Sequence, residues 1–331
     1  AWSGSGPAVR PEVRRGRLAG MVRPAWSGGV PAGTRRPTRG ATRAAHLAGL
    51  AFWLCGLIFL ADWVCTIDTT VVVFIMSGGL TPGETTKGND MNKNGLILWE
   101  GPSAINGKPI VVIATGLKRK SANAKIGADT VQVWYLPRDI APHVAVKTGD
   151  DESVCGDCIH RPSKGGSCYV VTYQAARAVW QAYQDGSYAS WDGSTLPFIG
   201  RVVRFGAWGD PAAVPADTLA PIRTVSRRHM AYTHQWKHES ASHLRSWCMA
   251  SVDSAPDYLR ARSAGWRTFR VRDSDEELHE RERMCPAADE SPVSAVMDCG
   301  KCSGCDGLTR GAKRPSFAIV VHGSRAARFN N

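Results

Sequence analysis

The sequence predicts an α/β fold, either a partial (β/α) barrel or an open parallel sheet, with a cysteine-rich appendage at its carboxyl end. Two observations carry this prediction. After residue 91, short runs of β-branched and aromatic residues alternate with segments of helical periodicity, an order typical of parallel sheets. Four cysteines then crowd into residues 285–305, which indicates a metal-held segment added to the sheet.

The first 90 residues differ from the rest of the chain. They are rich in Arg, Gly, Pro and Ala and lack hydrophobic periodicity, which predicts a disordered segment or an upstream reading frame preceding a native start at Met91. The apolar run at 47–61 is shorter than the ~20 residues that span a bilayer, although its Arg-rich flank suits a signal sequence or an anchor. A membrane partner is expected only if residues 1–90 are translated; otherwise the expected location is the cytoplasm.

The α/β core is predicted over residues 91–272. Its strands are runs of β-branched and aromatic residues bounded by Gly, Lys or Pro, and its helices carry apolar residues at helical spacing. The predicted strands are 109–117, 130–136, 201–205, 230–236, 247–252 and 266–271, and the predicted helices are 173–183, 216–228 and 256–263.

Residues 273–331 are the predicted appendage. Residues 273–283 are strongly charged, which indicates a solvated helix or a linker. The four-cysteine site follows, and residues 316–321 are a final strand that leads into His322 and Gly323.

The net charge and the absence of three common sequence motifs limit the function classes that the sequence supports. The chain carries 41 Lys and Arg against 29 Asp and Glu, a formal charge of +12. This excess favours an anionic partner such as nucleic acid, although it is spread along the chain and is also compatible with an ordinary solvated surface. The sequence has no Walker loop, no G-x-S-x-G elbow and no HExxH, so phosphate-loop nucleotidases, typical α/β hydrolases and typical zincins lose their usual support.

The strongest local signal is the late cysteine group. Cys299, Cys302 and Cys305 form C-x2-C-x2-C, and Cys285 precedes them by a loop, so four thiolates are available for one centre. This spacing is met in bacterial-type iron–sulfur ferredoxins, whereas zinc sites more often use two separated C-x2-C pairs. The group is therefore predicted to hold an iron–sulfur cluster, with zinc as the alternative.

The earlier cysteine group has three members. Cys155, Cys158 and Cys168 form C-x2-C-x9-C, with His160 inside the motif. A cluster held by three cysteines leaves one iron free to bind a small molecule, whereas a structural zinc needs a fourth protein ligand. The fourth ligand is His160, Cys248 or an exogenous molecule, and the role of His160 discriminates between the two metals.

Polar residues follow three of the predicted strands. Gly209 and Asp210 come after the strand at 201–205, His234 lies near the end of the next strand, and Asp253 follows the third. Ligands of α/β folds bind at the carboxyl ends of strands. Asp210, His234 and Asp253 are therefore candidate catalytic residues, and Gly209 and Asp210 are candidate cofactor-binding residues. Ordinary strand-ending turns are the alternative interpretation.

From residue 96 to residue 323 the chain resembles a cysteine-rich family encoded by bacteriophages, similar in plan to the phage "gene product eighty-eight" proteins. The matching pieces are CGDC…GGSCYV, RFGAWGDPAAVP, YTHQW, CMASVDS, GWRTFRV and CP…CGKCSGCDG. The resemblance implies a phage or prophage origin, so the cytoplasm expected above is that of a host cell. It brings no assigned reaction.

The order of motifs also resembles that of radical S-adenosylmethionine enzymes: a three-cysteine motif, a helix, and a strand that ends in a Gly-Gly-Glu-Pro-like turn, here WGDP at 208–211. By that resemblance the first cysteine group holds the reactive cluster, and Gly209 and Asp210 meet the amino group of S-adenosylmethionine. The superfamily's usual spacing is C-x3-C-x2-C, so the loop geometry here must differ.

Two functions are therefore predicted. The first is an iron–sulfur enzyme with radical chemistry on a nucleic acid or a modified base. The alternative is a non-enzymatic, zinc-stabilised protein that binds nucleic acid through its Lys and Arg residues.

Overall fold

The computed structural model describes residues 94–329, except 122, 124 and 303. These residues belong to one compact unit that spans 81–331. Ten strands form a single sheet: β1 Gly95–Pro102, β2 Pro109–Thr115, β3 Thr130–Pro137, β4 Ala189–Ser190, β5 Val202–Trp208, β6 Arg228–Thr233, β7 Met249–Val252, β8 Thr268–Arg272, β9 Glu282–Met284 and β10 Ser316–Val320.

The strand order in the sheet is β4-β1-β2-β3-β5-β6-β7-β8-β10-β9. β1, β2 and β3 pair antiparallel, and every pair from β3 to β9 is parallel. From β3 to β10 the strands add to the same side in almost the order of the sequence, so this half of the sheet is singly wound. The carboxyl ends of these strands therefore meet at one edge, called the carboxyl edge below.

Five α-helices accompany the sheet: α1 Pro142–Thr148, α2 Glu152–Cys155, α3 Arg177–Gln184, α4 Ala220–Val225 and α5 Ala255–Ser263. α5 begins where the side chain of Ser254 accepts a hydrogen bond from the Asp257 amide, with Pro256 in the first turn. The main hydrophobic core joins Ile222 of α4 and Ala261 of α5 to inward-facing strand residues such as Phe205.

The two faces of the parallel strands have different contents. Phe205 and Ala231 are aligned on β5 and β6 and belong to the main core. Arg204 and Met230, the aligned residues before them, point to the opposite face because side chains alternate along a strand. A smaller core on β8 and β10, around Ile319, packs against residues 285–288 of the late cysteine segment.

The predicted α/β fold with an open sheet is confirmed, but the sheet is mixed and not wholly parallel. Each predicted strand is present within a few residues of its expected bounds, but the strand predicted at 109–117 is β2, which is antiparallel to both of its neighbours. The prediction missed β1, whose pairing with β2 is antiparallel. The charged segment 273–283 contains no helix and ends in β9. β9 and β10 belong to the same sheet as the strands before residue 272. The predicted boundary between an α/β core and an appendage at that residue stays a prediction.

The predictions for residues 1–90 lie outside the described residues, and so does the apolar run at 47–61. Among the residues that the structure describes, no helix is both long and apolar enough to cross a membrane.

Candidate metal and catalytic site

Three strand ends bring the predicted polar residues together at the carboxyl edge. Asp210 follows β5, His234 is the first residue after β6, and Asp253 is the first residue after β7. The amide of His234 donates to Oδ2 of Asp210 over 2.7 Å. Nε2 of His234 lies 3.9 Å from Oδ2 of Asp253. The structure therefore brings these three residues to the same edge, and their catalytic role stays a prediction.

The carboxylate of Asp210 is occupied by backbone donors. Its Oδ1 accepts from the Ala212 amide over 2.9 Å, and its Oδ2 accepts from His234. The residue is 5% exposed, and burial raises its pKa to about 6 although these donors act in the opposite direction. Asp210 thus ties the turn after β5 to the turn after β6. Its predicted contact with the amino group of a cofactor stays a prediction.

Gly209 packs against a neighbouring strand. It has a φ of 85°, and a Cβ at this position would lie 2.6 Å from Cβ of Tyr135 and 2.8 Å from its carbonyl oxygen. Glycine is required here for both reasons. The space that it saves lets the turn before Asp210 approach β3.

The first cysteine group, Cys155, Cys158 and Cys168, lies over the carboxyl edge. Its loop is bound there by two hydrogen bonds from strand ends. The Asp210 amide donates to the Val154 carbonyl over 2.7 Å, and Nε2 of Gln235 donates to the Cys155 carbonyl over 3.2 Å. The turn at Gly156, with a φ of 57°, leaves room for the Gln235 side chain, which a Cβ would overlap.

The nine residues between Cys158 and Cys168 form a closed loop. The amide of Cys168 donates to the His160 carbonyl over 2.9 Å, and the amide of Gly166 donates to the Arg161 carbonyl over 3.0 Å. A Cβ on Gly166 would lie 2.3 Å from the Ile159 carbonyl oxygen. The loop thus returns Cys168 close to Cys158, which explains physically how the long C-x2-C-x9-C spacing still gathers three thiols.

Arg161 anchors the base of this loop. It is 5% exposed, and it donates to Oδ1 of Asp151 over 2.8 Å and to the carbonyl oxygens of Gly149 and Gly156. Charge-assisted hydrogen bonds of this kind are stronger than neutral ones. The loop is therefore fixed to the segment that precedes α2.

The three thiols influence one another electrostatically. Burial raises the pKa of Cys155 well above its usual value, and the charges of Cys158 and Cys168 add to the rise. Burial likewise raises the pKa of Cys158 and of Cys168, while amides of His160 and Val170 donate to these two sulfurs and act to lower it. Buried sulfurs that repel each other as anions and accept amide hydrogen bonds suit a bound cationic centre.

The two candidate protein ligands for a fourth position are engaged elsewhere. Nδ1 of His160 lies 2.7 Å from Oγ of Ser167, and its Nε2 lies 2.7 Å from Oδ1 of Asp253. Cys248 is fully buried in the main hydrophobic core. Its thiol pKa is raised by burial and then by the charge of Asp210. Neither side chain is directed to complete the first cysteine group.

A set of ligand atoms that the sequence did not predict as a unit lies beside this group. The side chains of His160, His234 and Asp253, called the His–Asp set below, offer ligand atoms within 4.8 Å of one another. The His160 and His234 rings meet edge to face at 5.6 Å, and Phe329 stacks on His160 at 5.8 Å. All three residues are candidates from the sequence, but His160 is expected there only as one of three possible fourth ligands of the cysteines. Its contact with Asp253 after β7 exists only in the folded loop.

The second cysteine group, Cys285, Cys299, Cys302 and Cys305, lies near the sheet face opposite the main core. The amide of Cys285 donates to Ala318 of β10, and the amide of Ala231 in β6 donates to the Cys305 carbonyl. Cys299 donates to the carbonyl of Lys125 over 2.9 Å. Three separate parts of the fold thus position this segment.

The second group is also electrostatically coupled. Burial raises the pKa of Cys299 to about 11, the charge of Cys285 adds to this, and the nearby cation of Arg204 opposes it. Burial raises the pKa of Cys305 well above its usual value, while a hydrogen bond from Tyr232 acts to lower it. Arg204 and Tyr232 supply a cation and a donor to these sulfurs, and neither was predicted from the sequence.

A single zinc ion and an iron–sulfur cluster require different distances between their ligand sulfurs. Within the described part of the chain, the His–Asp set is the one group of three or more His, Cys, Asp and Glu side chains whose ligand atoms all lie within 4.8 Å. No three cysteine sulfurs of the described residues form such a group. Tetrahedral zinc with bonds of about 2.3 Å would hold its sulfurs about 3.8 Å apart. A cluster binds each thiolate on a different iron, and so spaces them more widely.

No protein-family model, no curated protein and no solved structure matches this chain.

Proposed function

We propose that this chain is an iron–sulfur enzyme in which Cys155, Cys158 and Cys168 hold a cluster with one iron open to S-adenosylmethionine. One observation carries the proposal. Three mutually coupled thiols lie over the carboxyl edge of a singly wound parallel sheet, and backbone carbonyls of their loop accept hydrogen bonds from the turns after β5 and β6. That edge is where α/β folds place reactive ligands.

The open iron follows from the surroundings of the first group. His160 is engaged by Ser167 and Asp253, and Cys248 lies in the core. Since these contacts direct His160 to Asp253 and place Cys248 in the core, the proposed fourth ligand of the first group is exogenous. The first group offers three thiolates, which suits a cluster with one open iron, whereas a zinc knuckle would need four protein ligands.

Cys155, Cys158 and Cys168 would hold the cluster, which when bound and reduced would supply the one electron that cleaves S-adenosylmethionine to methionine and a 5′-deoxyadenosyl radical. The residues of the chain position and shield that chemistry. The amides of His160 and Val170 stabilise two of the thiolates, and Arg161 fixes the loop that carries them. Phe329 stacks on the His160 ring beside the first group.

The second cysteine group is proposed to hold a closed, four-thiolate cluster. Its segment contacts β6 and β10, so a centre there also fixes the cysteine-rich segment to the sheet. Arg204 offsets the negative charge of such a centre. Zinc in this group is the alternative, because four thiolates are also a ligand set for tetrahedral structural zinc.

The finer architecture belongs to the same proposal. Strands β3, β5, β6, β7, β8 and β10 lie side by side in chain order, as in a partial (β/α) barrel, whereas a doubly wound sheet reverses direction at a switch point. A nucleic acid or a modified base is the proposed substrate class, supported by the charge of +12. Phage origin and host cytoplasm are proposed on the sequence resemblance alone.

The experiment is an assay of S-adenosylmethionine cleavage under strict exclusion of oxygen. The reconstituted protein is reduced and 5′-deoxyadenosine is quantified, with Cys158→Ala as the test variant and Cys248→Ala as the matched control outside both groups. We expect cleavage by the native chain and the control and none by Cys158→Ala. Equal product from Cys158→Ala, or no product from a native chain that holds iron and sulfide, would refute the proposed reaction.

A further inference from the structure

The His–Asp set has the composition of a mononuclear metal site. It offers two imidazole nitrogens and one carboxylate oxygen, all within 4.8 Å. Two histidines and one carboxylate with open positions form a recurring site for divalent iron and related metals. We propose that His160, His234 and Asp253 bind a divalent transition-metal cation, separate from the cysteine groups.

The hydrogen bonds around His160 allow it to act as a ligand. Its Nε2 lies 2.7 Å from Oδ1 of Asp253, and its Nδ1 lies 2.7 Å from Oγ of Ser167. Without a cation, Nε2–H donates to Asp253 and the Ser167 hydroxyl donates to Nδ1. With a cation, the proton moves to Nδ1, which donates to Ser167, and Nε2 presents a lone pair. A ligand histidine with a fixed partner on its other nitrogen is the usual arrangement at metal sites.

His234 supplies the second observation. Its Nε2 is inaccessible to solvent and has no hydrogen-bond partner among the described residues, while Oδ2 of Asp253 lies 3.9 Å away. A buried ring nitrogen without a partner loses free energy that a ligand would restore. The His234 backbone is held by Asp210. The unpartnered nitrogen is therefore fixed in place and directed towards the carboxylate.

The His–Asp set and the cysteine groups offer different ligand atoms and so prefer different metals. Thiolates favour soft centres, whereas a carboxylate with two imidazoles also accepts harder cations such as Mn²⁺. Asp253 is 6% exposed and close enough to Cys158 for its charge to raise the pKa of that thiol. The cation would lie beside the first cysteine group and would offset this negative charge. The inference does not depend on the cluster proposed above.

Mn²⁺ titration followed by electron paramagnetic resonance tests the site, because thiolates compete poorly for this cation. The full chain, purified with its cysteine groups as isolated, is compared with Asp253→Asn, His234→Gln and Ser167→Ala. His238→Gln is the matched control, since His238 and Asp157 form an exposed pair at 2.9 Å. We expect one Mn²⁺ per native chain, at least ~10-fold weaker binding in each test variant, and no change in the control.

Two readouts separate this inference from the proposed function. Iron and sulfide content should be the same in Ser167→Ala and in the native chain, which also shows that the loop is intact. Manganese binding by a chain without iron would support the metal site while the cluster proposal fails. Absence of a stoichiometric Mn²⁺ signal in the native chain, or equal affinity in all four variants, would overturn the inference.

Discussion

Asp210 is a buried carboxylate whose two oxygens accept backbone hydrogen bonds from the turns after β5 and β6. Burial raises its pKa from 3.8 to about 6 in the folded protein. The folded state therefore holds this proton more tightly than the unfolded chain does. Its contribution to stability is complete below the unfolded pKa and is lost as the pH rises through about 6.

The variant Asp210→Asn tests whether the contribution of Asp210 to stability falls as the pH rises. A shift of about 2 pKa units corresponds to about 3 kcal/mol, so the native free energy of unfolding should fall by up to that amount between about pH 4 and about pH 7 relative to the variant. The variant itself is less stable, because its amide nitrogen cannot accept from His234 or Ala212. Urea unfolding across this range measures both. If the free energies of unfolding of the native protein and the variant changed in parallel with pH, the raised pKa of Asp210 would be contradicted.

Gly166 determines whether the first cysteine loop closes. A Cβ there would overlap backbone atoms of Ile159 and His160, at 2.3 and 2.4 Å, so the neighbouring chain would have to move. We expect Gly166→Ala to lose most of the metal of the first group. Gly165→Ala is the control, because it has open space and bears only the cost of its φ of 77°, about 1 kcal/mol. Metal content per chain measures the difference, and equal retention would disprove the role of loop closure.

At the scale of elements, the segment 304–315 is held to β8 by one buried ion pair. Arg267 is fully buried and donates to Oδ1 of Asp306 over 2.9 Å and to the carbonyl oxygens of Gly304, Gly307 and Pro315. Asp306 also pairs with Arg310 at 2.6 Å and with Arg314 at 3.1 Å, so the groups that depend on Arg267 alone are the three carbonyl oxygens. The second cysteine group thus depends on a contact remote from its sulfurs.

Arg267→Met should therefore destabilise the protein by roughly 3 kcal/mol, because the carbonyl oxygens of Gly304, Gly307 and Pro315 lose a buried donor while Asp306 keeps its other arginine partners. Arg260→Met is the matched control: its exposed pair with Asp257 on α5 contributes about 1 kcal/mol or less. Chemical denaturation compares the two variants. We also expect Arg267→Met to release metal from the second group before the first. Similar unfolding free energies in both variants would refute this account.

Sequence reasoning located the parallel strands because their β-branched runs stand between Gly and Pro, whereas β1 was missed. The β1 run at 95–102 mixes apolar with charged and Gly residues, and its stability comes from pairing with β2. The strand predicted at 230–236 ends at Thr233, where His234 turns away to bond with Asp210. Tertiary hydrogen bonds thus fix boundaries that local propensity does not encode.

At the scale of the whole molecule, the candidate site was only partly predictable. The cysteines and strand ends are readable from spacing, since parallel strands bring their carboxyl ends to one edge. The contacts of His160 with Asp253 and of Arg204 with the second group join residues 93 or more positions apart. No periodicity connects such residues, so only the folded chain shows that His160 faces β7 and not the thiols.

The two cysteine groups are attached to the sheet in different ways. The first is a closed loop added over strand ends, and the second is a long segment that packs on the sheet itself. Metal loss from the first should leave the sheet intact, whereas loss from the second removes support from β9 and β10. The central claim is that both hold iron–sulfur clusters, and that the first is the reactive one.

Iron and acid-labile sulfide per chain, measured on anaerobically purified protein and on a variant with Cys155, Cys158 and Cys168 replaced by Ser, test that claim most directly. The native chain is expected to contain both elements in similar amounts, and the variant about half of each with no spectral response to S-adenosylmethionine. Zinc without sulfide in the native chain, after anaerobic reconstitution with iron has also failed, would contradict the account.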